Sequence, residues 1–128
     1  MALRFVLARP GRATQDTRVS FFNLYRHGFA RMAVCVPRVR VADPAVNARE
    51  TVMLAREAAA GHALVAVFPE LGLTGYTCED LFHQQALLDA ALAGLDTVLE
   101  GTRELDLVVA VGLPLNVDGL LYNCAVLA

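Results

Sequence analysis

The sequence predicts an α/β protein, and three consecutive segments carry that prediction. Residues 29–36 combine rough alternation with β-forming side chains, which is typical of a strand. Asp43-Pro44 is a favourable helix start, and helical periodicity follows it up to Gly61. Residues 64–68 are then an almost continuous apolar run, the pattern of a strand buried on both faces. Strand, helix and strand at this spacing predict a βαβ unit with parallel strands.

The second half of the chain predicts a longer helix and two further strands, which gives the order βαβαββ. Leucines recur at helical spacing over residues 80–104. Residues 107–113 predict a third buried strand closed by Pro114, and a turn at residues 116–119 leads into a fourth strand over 120–128. The predicted inward-facing residues are Val46, Met53, Leu54 and Ala58 in the first helix and Leu81, Leu87, Leu88, Leu92, Leu95 and Leu99 in the second.

Composition limits the class of protein. The chain has 128 residues, 56% of them hydrophobic, which suits one domain with a packed core. Its apolar stretches are too short for a membrane span of about 18 residues, so no membrane partner is predicted. Eight of its eleven basic residues lie within positions 1–40, yet they lack a recognition-helix pattern, and no nucleic-acid partner is predicted. All eleven are arginines, so the chain contains no lysine.

The first 18 residues differ from the rest. They are rich in arginine and nearly free of acids, and their apolar run is too interrupted for a signal peptide. We predict that residues 1–18 are a disordered extension or the product of a misassigned start, an organellar transit peptide being the alternative. Residues 19–128 are then the domain. Three scattered cysteines predict neither a disulfide framework nor a metal site, and they indicate a reducing, cytoplasmic setting.

The segment with the most chemical content is VAVFPELGLTGY, residues 65–76. Its carboxylate, Glu70, directly follows the second predicted strand, and sheets built from βα units bind ligands outside the carboxyl ends of their strands. Between Phe68 and Leu71 the carboxylate is expected to be partly desolvated, an environment that suits a general base. Position alone leaves an alternative open, in which Glu70 caps a turn or pairs with an arginine.

FPELGLTGY resembles the first active-site segment of the nitrilase, or carbon–nitrogen hydrolase, superfamily. Three flanking stretches further resemble the amino-terminal glutaminase domain of glutamine-dependent NAD synthetases. The resemblance implies half of a four-layer α-β-β-α sandwich. The resembling stretches are SFFNLYRHGFARMAVCVPRVRVADPAVNA, CEDLFHQQALLDA and VVAVGLPL with the later LYNCAV.

That resemblance implies a Glu–Lys–Cys triad in which a cysteine thiolate attacks glutamine and ammonia leaves. Glu70 matches the general base, and Tyr76 matches a tyrosine of the substrate pocket, with core packing as the alternative for Tyr76. The parent proteins would use the ammonia to amidate deamido-NAD. The resemblance further implies that ATP and Mg²⁺ bind a synthetase domain, that the parent proteins are homo-oligomers, and that this segment needs no cofactor.

The departure from the family lies in the other two triad members. A chain without lysine lacks the triad lysine, and the family's nucleophilic cysteine lies further downstream. Cys78 is the best-placed substitute, but its acidic neighbours disfavour a thiolate, while Cys35 and Cys124 lie in predicted strands. We therefore predict a truncated, inactive amino-terminal fragment. The alternatives are a stand-alone nitrilase-type amidase or carbamoylase, and a non-catalytic interaction fragment.

Overall fold

A computed structural model of the protein describes residues 23–128, and the predicted extension over residues 1–18 lies outside them. The chain divides into two compact units, Met1–Ala30 and Arg31–Ala128. In the described part of the first unit, Leu24–His27 forms a 3-10 turn, and the amide of Tyr25 donates to the Asn23 side chain that caps it.

The second unit has the predicted order βαβαββ, and the α/β fold class is confirmed. Its sheet has the order β1-β2-β3-β4, in which the first three strands are parallel and β4 is antiparallel to β3. The elements are β1 (Met32–Val34), α1 (Pro44–Ala60), β2 (Val65–Val67), α2 (Gln85–Thr102), β3 (Val108–Val117) and β4 (Leu120–Leu127).

Both helices pack on one side of this sheet, which we call the covered face. Alternate residues of the central strands, such as Ala66, Val109 and Val111, join the core there with at most 1% of their surface exposed. The intervening residues point to the other side, the open face, which no helix or strand of residues 31–128 covers. Its large exposed side chains are Met32, Val34, Val67, Val108 and Leu127.

Two of the predicted leucines, Leu87 and Leu88, are buried, but small residues complete the buried side of α2 where it approaches α1. The buried side of α2 presents Ala91, Gly94 and Val98, and a Cβ added at Gly94 would lie 3.2 Å from the carbonyl oxygen of Pro44. Leu92 is 46% exposed, so its predicted inward orientation is wrong. The same holds for Leu81, Leu99 and Met53. Close approach of the backbones selects small side chains here, a requirement that a hydrophobic pattern does not express.

The second helix begins later than predicted. Residues 79–83 form a 3-10 turn, and Gln84 then adopts an extended conformation with φ −90° and ψ 120°. An extended residue interrupts the helical hydrogen-bond ladder, so the predicted helix over 80–104 is wrong at its start. The first helix matches its prediction, because the Asp43 side chain accepts a hydrogen bond from the amide of Val46 at 3.1 Å. Of residues 23–128, no helix is long and apolar enough to cross a membrane.

The strands depart from prediction at two ends. The first strand spans three residues rather than 29–36, since its partner β2 is equally short. The third strand continues through Pro114 instead of ending there. Because Val109 and Ala128 exchange both backbone hydrogen bonds, Pro114 falls at a non-hydrogen-bonded pair where β4 needs no amide from it. Asp118 and Gly119, both with positive φ, close the predicted hairpin.

Candidate active site

The turn after β2, residues 69–75, carries Glu70 and is called the Glu70 turn. Its first four residues close a β-turn, in which the amide of Gly72 donates to the carbonyl of Pro69 at 3.0 Å. The amides of Thr74 and Gly75 both donate to the carbonyl of Leu71, at 3.0 and 2.8 Å. Internal bonds therefore hold this turn in one compact shape directly beyond the carboxyl end of β2.

Leu71 occupies a strained position immediately after Glu70. Its φ is +50°, in the left-handed region that favours Gly or Asn, whereas the φ of Glu70 lies outside that region. The pair thus has the φ pattern of a type II turn with a leucine where glycine is usual. Leu71 is only 7% exposed, so its buried side chain compensates for the backbone strain.

From the helix side, the Glu70 turn is anchored by Asn47 of α1. This side chain has no exposed surface, and its Nδ2 donates to the carbonyls of Leu73 at 2.9 Å and Arg40 at 2.7 Å. Its Oδ1 accepts from the amide of Arg40 at 2.7 Å. In addition, the amide of Ala42 donates to the carbonyl of Thr74 at 2.8 Å. One buried amide therefore joins α1, the segment before it and the Glu70 turn.

From the sheet side, the Glu70 turn rests on Gly112 of β3. A Cβ added there would lie 2.5 Å from the amide nitrogen of Leu71, 2.8 Å from the carbonyl oxygen of Pro69 and 3.0 Å from Cα of Glu70. These are backbone atoms, which cannot rotate aside as a flexible side chain can. The carbonyl of Gly112 also accepts from the amide of Leu73 at 3.2 Å. The missing side chain at Gly112 thus sets how closely the turn approaches the sheet.

The Glu70 carboxylate itself is exposed, and Asn123 of β4 contacts it. The Nδ2 group of Asn123 donates a hydrogen bond to Oε1 of Glu70 at 2.5 Å. The prediction that the Glu70 carboxylate is partly desolvated is therefore wrong. The residues on either side bury their own side chains and leave the carboxylate pointing outward. Its observed partner is an amide rather than an arginine.

Tyr76 leaves the turn just beyond Gly75, whose φ of +86° redirects the chain. The Tyr76 side chain is 67% exposed, so the alternative that it packs in the core is wrong. Glu70 and Tyr76 are accordingly both presented to solvent from one loop.

Two of the three cysteines are buried, and the third lies on the side of the sheet opposite Glu70. Cys78 is 3% exposed, and its Sγ lies 3.1 Å from the carbonyl oxygen of Thr74. Cys35 belongs to the core, and its burial, together with the charge of Glu57, raises the pKa of its thiol. Cys124 neighbours Asn123 on β4 and therefore points to the covered face, away from the side that carries Glu70.

Within residues 23–128, no three His, Cys, Asp or Glu side chains come together as metal ligands would. A surface groove of about 460 Å³ runs between α1 and α2, lined by Arg49, Arg56 and Gly101 among others. Arg56 donates there to the carbonyl of Gly101 at 3.2 Å, which places its charge at the end of α2. Glu70 is not part of that groove.

Sequence reasoning located Glu70 but missed the residues that hold it, namely Asn47, Gly112 and Asn123. Asn123 had a detectable signal, because it is the one strongly polar side chain within the apolar run of β4. Asn47 and Gly112 had none, since a polar residue on a helix and a glycine in a strand fit many other roles.

Comparisons with known proteins identify relatives of this chain. A family model described as carbon–nitrogen hydrolase matches residues 30–128. The glutamine-dependent NAD(+) synthetase of Mycobacterium tuberculosis H37Rv is 40% identical over 108 residues, and that of Mycobacterium leprae is 37% identical over 109. These matches cover 84% and 85% of this chain. The chain spans 16% of the length of either relative.

Solved structures show the same fold. A glutamine-dependent NAD(+) synthetase from Cytophaga hutchinsonii superposes with a TM-score of 0.71 and 27% identity, covering 77% of this chain and 17% of that one. The synthetase from Acinetobacter baumannii gives a TM-score of 0.60 at 23% identity, covering 74% of this chain and 18% of that one. The resemblance to the glutamine-dependent NAD synthetase branch is thereby confirmed. A family match over residues 30–128 shows that this chain belongs to the carbon–nitrogen hydrolases.

Proposed function

We propose that this chain supplies the general base of a glutamine-hydrolysing site, with Glu70 in that role. The observation that carries the proposal is an exposed carboxylate held at the carboxyl end of β2 by a rigid turn and an amide donor. Ligands of such sheets bind at this edge. Because the relatives are glutamine-dependent NAD(+) synthetases, glutamine is the proposed amide substrate.

In the proposed mechanism, the Glu70 carboxylate takes the proton of a cysteine thiol as that sulfur attacks the carboxamide carbon of glutamine. Ammonia leaves with the proton, and a thioester remains. The carboxylate then takes a proton from water, which hydrolyses the thioester to glutamate. A lysine ammonium would stabilise the oxyanion in both steps.

The nucleophile and the lysine must come from chain other than these 128 residues. The sequence holds no lysine. Cys35 lies in the core, Cys78 is buried against backbone carbonyls, and Cys124 points to the side of the sheet opposite Glu70. Residues 1–128 are therefore proposed to release no ammonia by themselves. Tyr76, exposed on the same loop, is proposed to line the glutamine pocket.

In the parent protein, the ammonia is proposed to amidate deamido-NAD in a synthetase domain that binds ATP and Mg²⁺. That domain and a homo-oligomeric assembly are the proposed partners of this segment, in the cytoplasm. The support is that the chain spans only 16% of the length of relatives that are glutamine-dependent NAD(+) synthetases.

The test uses a hybrid synthetase. In it, the 108-residue stretch of this chain that matches the Mycobacterium tuberculosis synthetase replaces the corresponding segment of that protein. The hybrid should release ammonia from glutamine, and Glu70→Gln should lower that rate by about 100-fold or more. Glu79→Gln, an exposed acid nine residues further on, is the matched control and should leave the rate unchanged. NAD formation from added ammonia checks that each hybrid is folded.

Two results would overturn the proposal. One is glutamine turnover by the hybrid that persists in Glu70→Gln. The other is ammonia release by purified residues 1–128 that also persists in Glu70→Gln, since that activity would need a nucleophile and a base other than those named.

A further inference from the structure

We propose that Asn123 is a positioning residue that orients the Glu70 carboxylate, and that Gly112 sets the height of the turn beneath it. The inference rests on the proposed function, because it explains how this base is held for proton transfer. It concerns two residues of the β3–β4 hairpin that lie far from Glu70 in sequence, Asn123 by 53 positions.

The pairing register brings Gly112 and Asn123 together on the open face. Gly112 pairs with Ala125, and the next pair with the same orientation joins Pro114 to Asn123. The two residues are therefore diagonal neighbours on one face of an antiparallel pair. The Glu70 turn lies over Gly112, so that Asn123 of the adjacent strand reaches the carboxylate from the side.

Gly112 lacks a side chain because there is no space for one, and its backbone conformation does not require glycine. Its φ lies outside the left-handed region, so alanine would meet no backbone strain there. The obstacle is the contact of 2.5 Å between an added Cβ and the amide nitrogen of Leu71. Alanine would lift the turn and with it the carboxylate, changing the distance from Glu70 to Asn123.

The side-chain amide of Asn123 is a suitable partner for Glu70, because the Glu70 carboxylate must remain able to accept a proton. An ionised carboxylate only accepts hydrogen bonds, so the Nδ2 group of Asn123 must face Oε1 of Glu70. This bond fixes one carboxylate oxygen and leaves Oε2 to take the proton. A neutral amide also orients the group without the full charge of an arginine, which would hold the proton acceptor in an ion pair.

The exposure of Asn123 argues against a mainly structural role. Its side chain and that of Glu70 are both exposed, so water replaces their hydrogen bond at little cost when the protein unfolds. Asn47 differs, because its buried amide bonds backbone carbonyls with no water available. The two asparagines thus give an internal contrast between holding the turn and orienting the carboxylate.

The first test is NMR spectroscopy of the ¹⁵N-labelled chain, residues 1–128, at neutral pH. In Glu70→Ala, the side-chain amide protons of Asn123 should move to the positions of solvent-exposed asparagines, while those of Asn47 should stay. Glu70→Gln keeps the shape of the side chain and should move only the Asn123 signals. Asn123 signals that remain in place in both variants would overturn the inference.

The second test measures glutamine hydrolysis in the hybrid synthetase. Asn123→Ala should lower kcat by about 10- to 100-fold with KM unchanged, since a misplaced base slows proton transfer without affecting binding. Asn123→Asp has the same shape without the donor and should be at least as slow. Asn116→Ala is the matched control, an exposed asparagine of the same hairpin that accepts from Gly119 at 3.1 Å.

The outcomes separate this inference from the proposed function. If Glu70→Gln abolishes ammonia release while Asn123→Asp retains the full kcat, the positioning role is wrong and the function stands. If Glu70→Gln retains ammonia release, the proposed function is wrong, whatever the NMR spectra show of the hydrogen bond.

Discussion

The two faces of the sheet carry equally apolar side chains but have opposite surroundings. Val111 on the covered face is 1% exposed, whereas Val34 on the open face is 63% exposed. Part of the open face, at Gly112, is nevertheless covered, and the Glu70 turn covers it. The candidate site therefore lies where a loop covers part of the open face, while the helices stabilise the opposite face.

Two asparagines differ in the same way as the two faces. Asn47 holds the Glu70 turn from the covered side through buried backbone carbonyls. Asn123 reaches the carboxylate from the open side and is exposed. We therefore expect the first residue to matter for stability and the second for chemistry.

Leucine-to-alanine changes on the two faces should separate them most strongly. Leu113, with no exposed surface, should lose about 2–5 kcal/mol of unfolding free energy, because its removal leaves a cavity. Leu127, 71% exposed, should change it by less than about 0.5 kcal/mol. Urea unfolding followed by circular dichroism measures both. A large loss in Leu127→Ala would mean that the open face is covered in solution, and repeating it at lower protein concentration would identify self-association.

Asn47→Ala should cost about 1–3 kcal/mol, because it leaves the buried carbonyl of Leu73 and the part-buried backbone groups of Arg40 without partners. Asn123→Ala should change stability by less than about 0.5 kcal/mol in the same urea titration. The contrast between the two asparagines would collapse if both variants lost equal stability.

Gly112→Ala should cost about 1–3 kcal/mol through overpacking against backbone atoms of the Glu70 turn. Its amide spectrum should change most in residues 69–75, which NMR spectroscopy would resolve. Gly94→Ala is the comparison and should cost less, because its Cβ would lie 3.2 Å from the Pro44 carbonyl oxygen and alanine favours the helix. A Gly112→Ala spectrum unchanged over the turn would contradict the close approach described here.

The smallest expected effect concerns Cys35 on the covered face and appears only in alkali. Burial raises the pKa of this thiol above its ordinary value of 9.0, so the folded state retains the proton longer than the unfolded state. Its contribution to stability is complete below the pKa of the unfolded state and is lost as pH rises towards the higher pKa of the folded state. Unfolding free energies across that range should fall less in Cys35→Ala than in the unaltered chain.

Local features were predictable because neighbouring residues decide them. Asp43 at the start of α1 and the Asp118-Gly119 hairpin follow from capping and turn chemistry within a few residues. The start of α2 was not predictable from periodicity, since Leu81 of the preceding 3-10 turn continues the helical spacing. Glu70 was predictable from its place after β2, but its exposure depends on how residues 69–75 fold back over Gly112.

The sequence alone was enough to predict the α/β class, the order βαβαββ and the position of Glu70 beyond a buried strand. These follow from apolar periodicity and from caps and turns, which act over short distances along the chain. Tertiary packing determines which face of the sheet the helices cover and which residue holds the Glu70 carboxylate. Glu70 and Asn123 are 53 positions apart, and the register of β3 with β4 brings them together. Such pairing depends on packing across the whole sheet, so no local pattern encodes it.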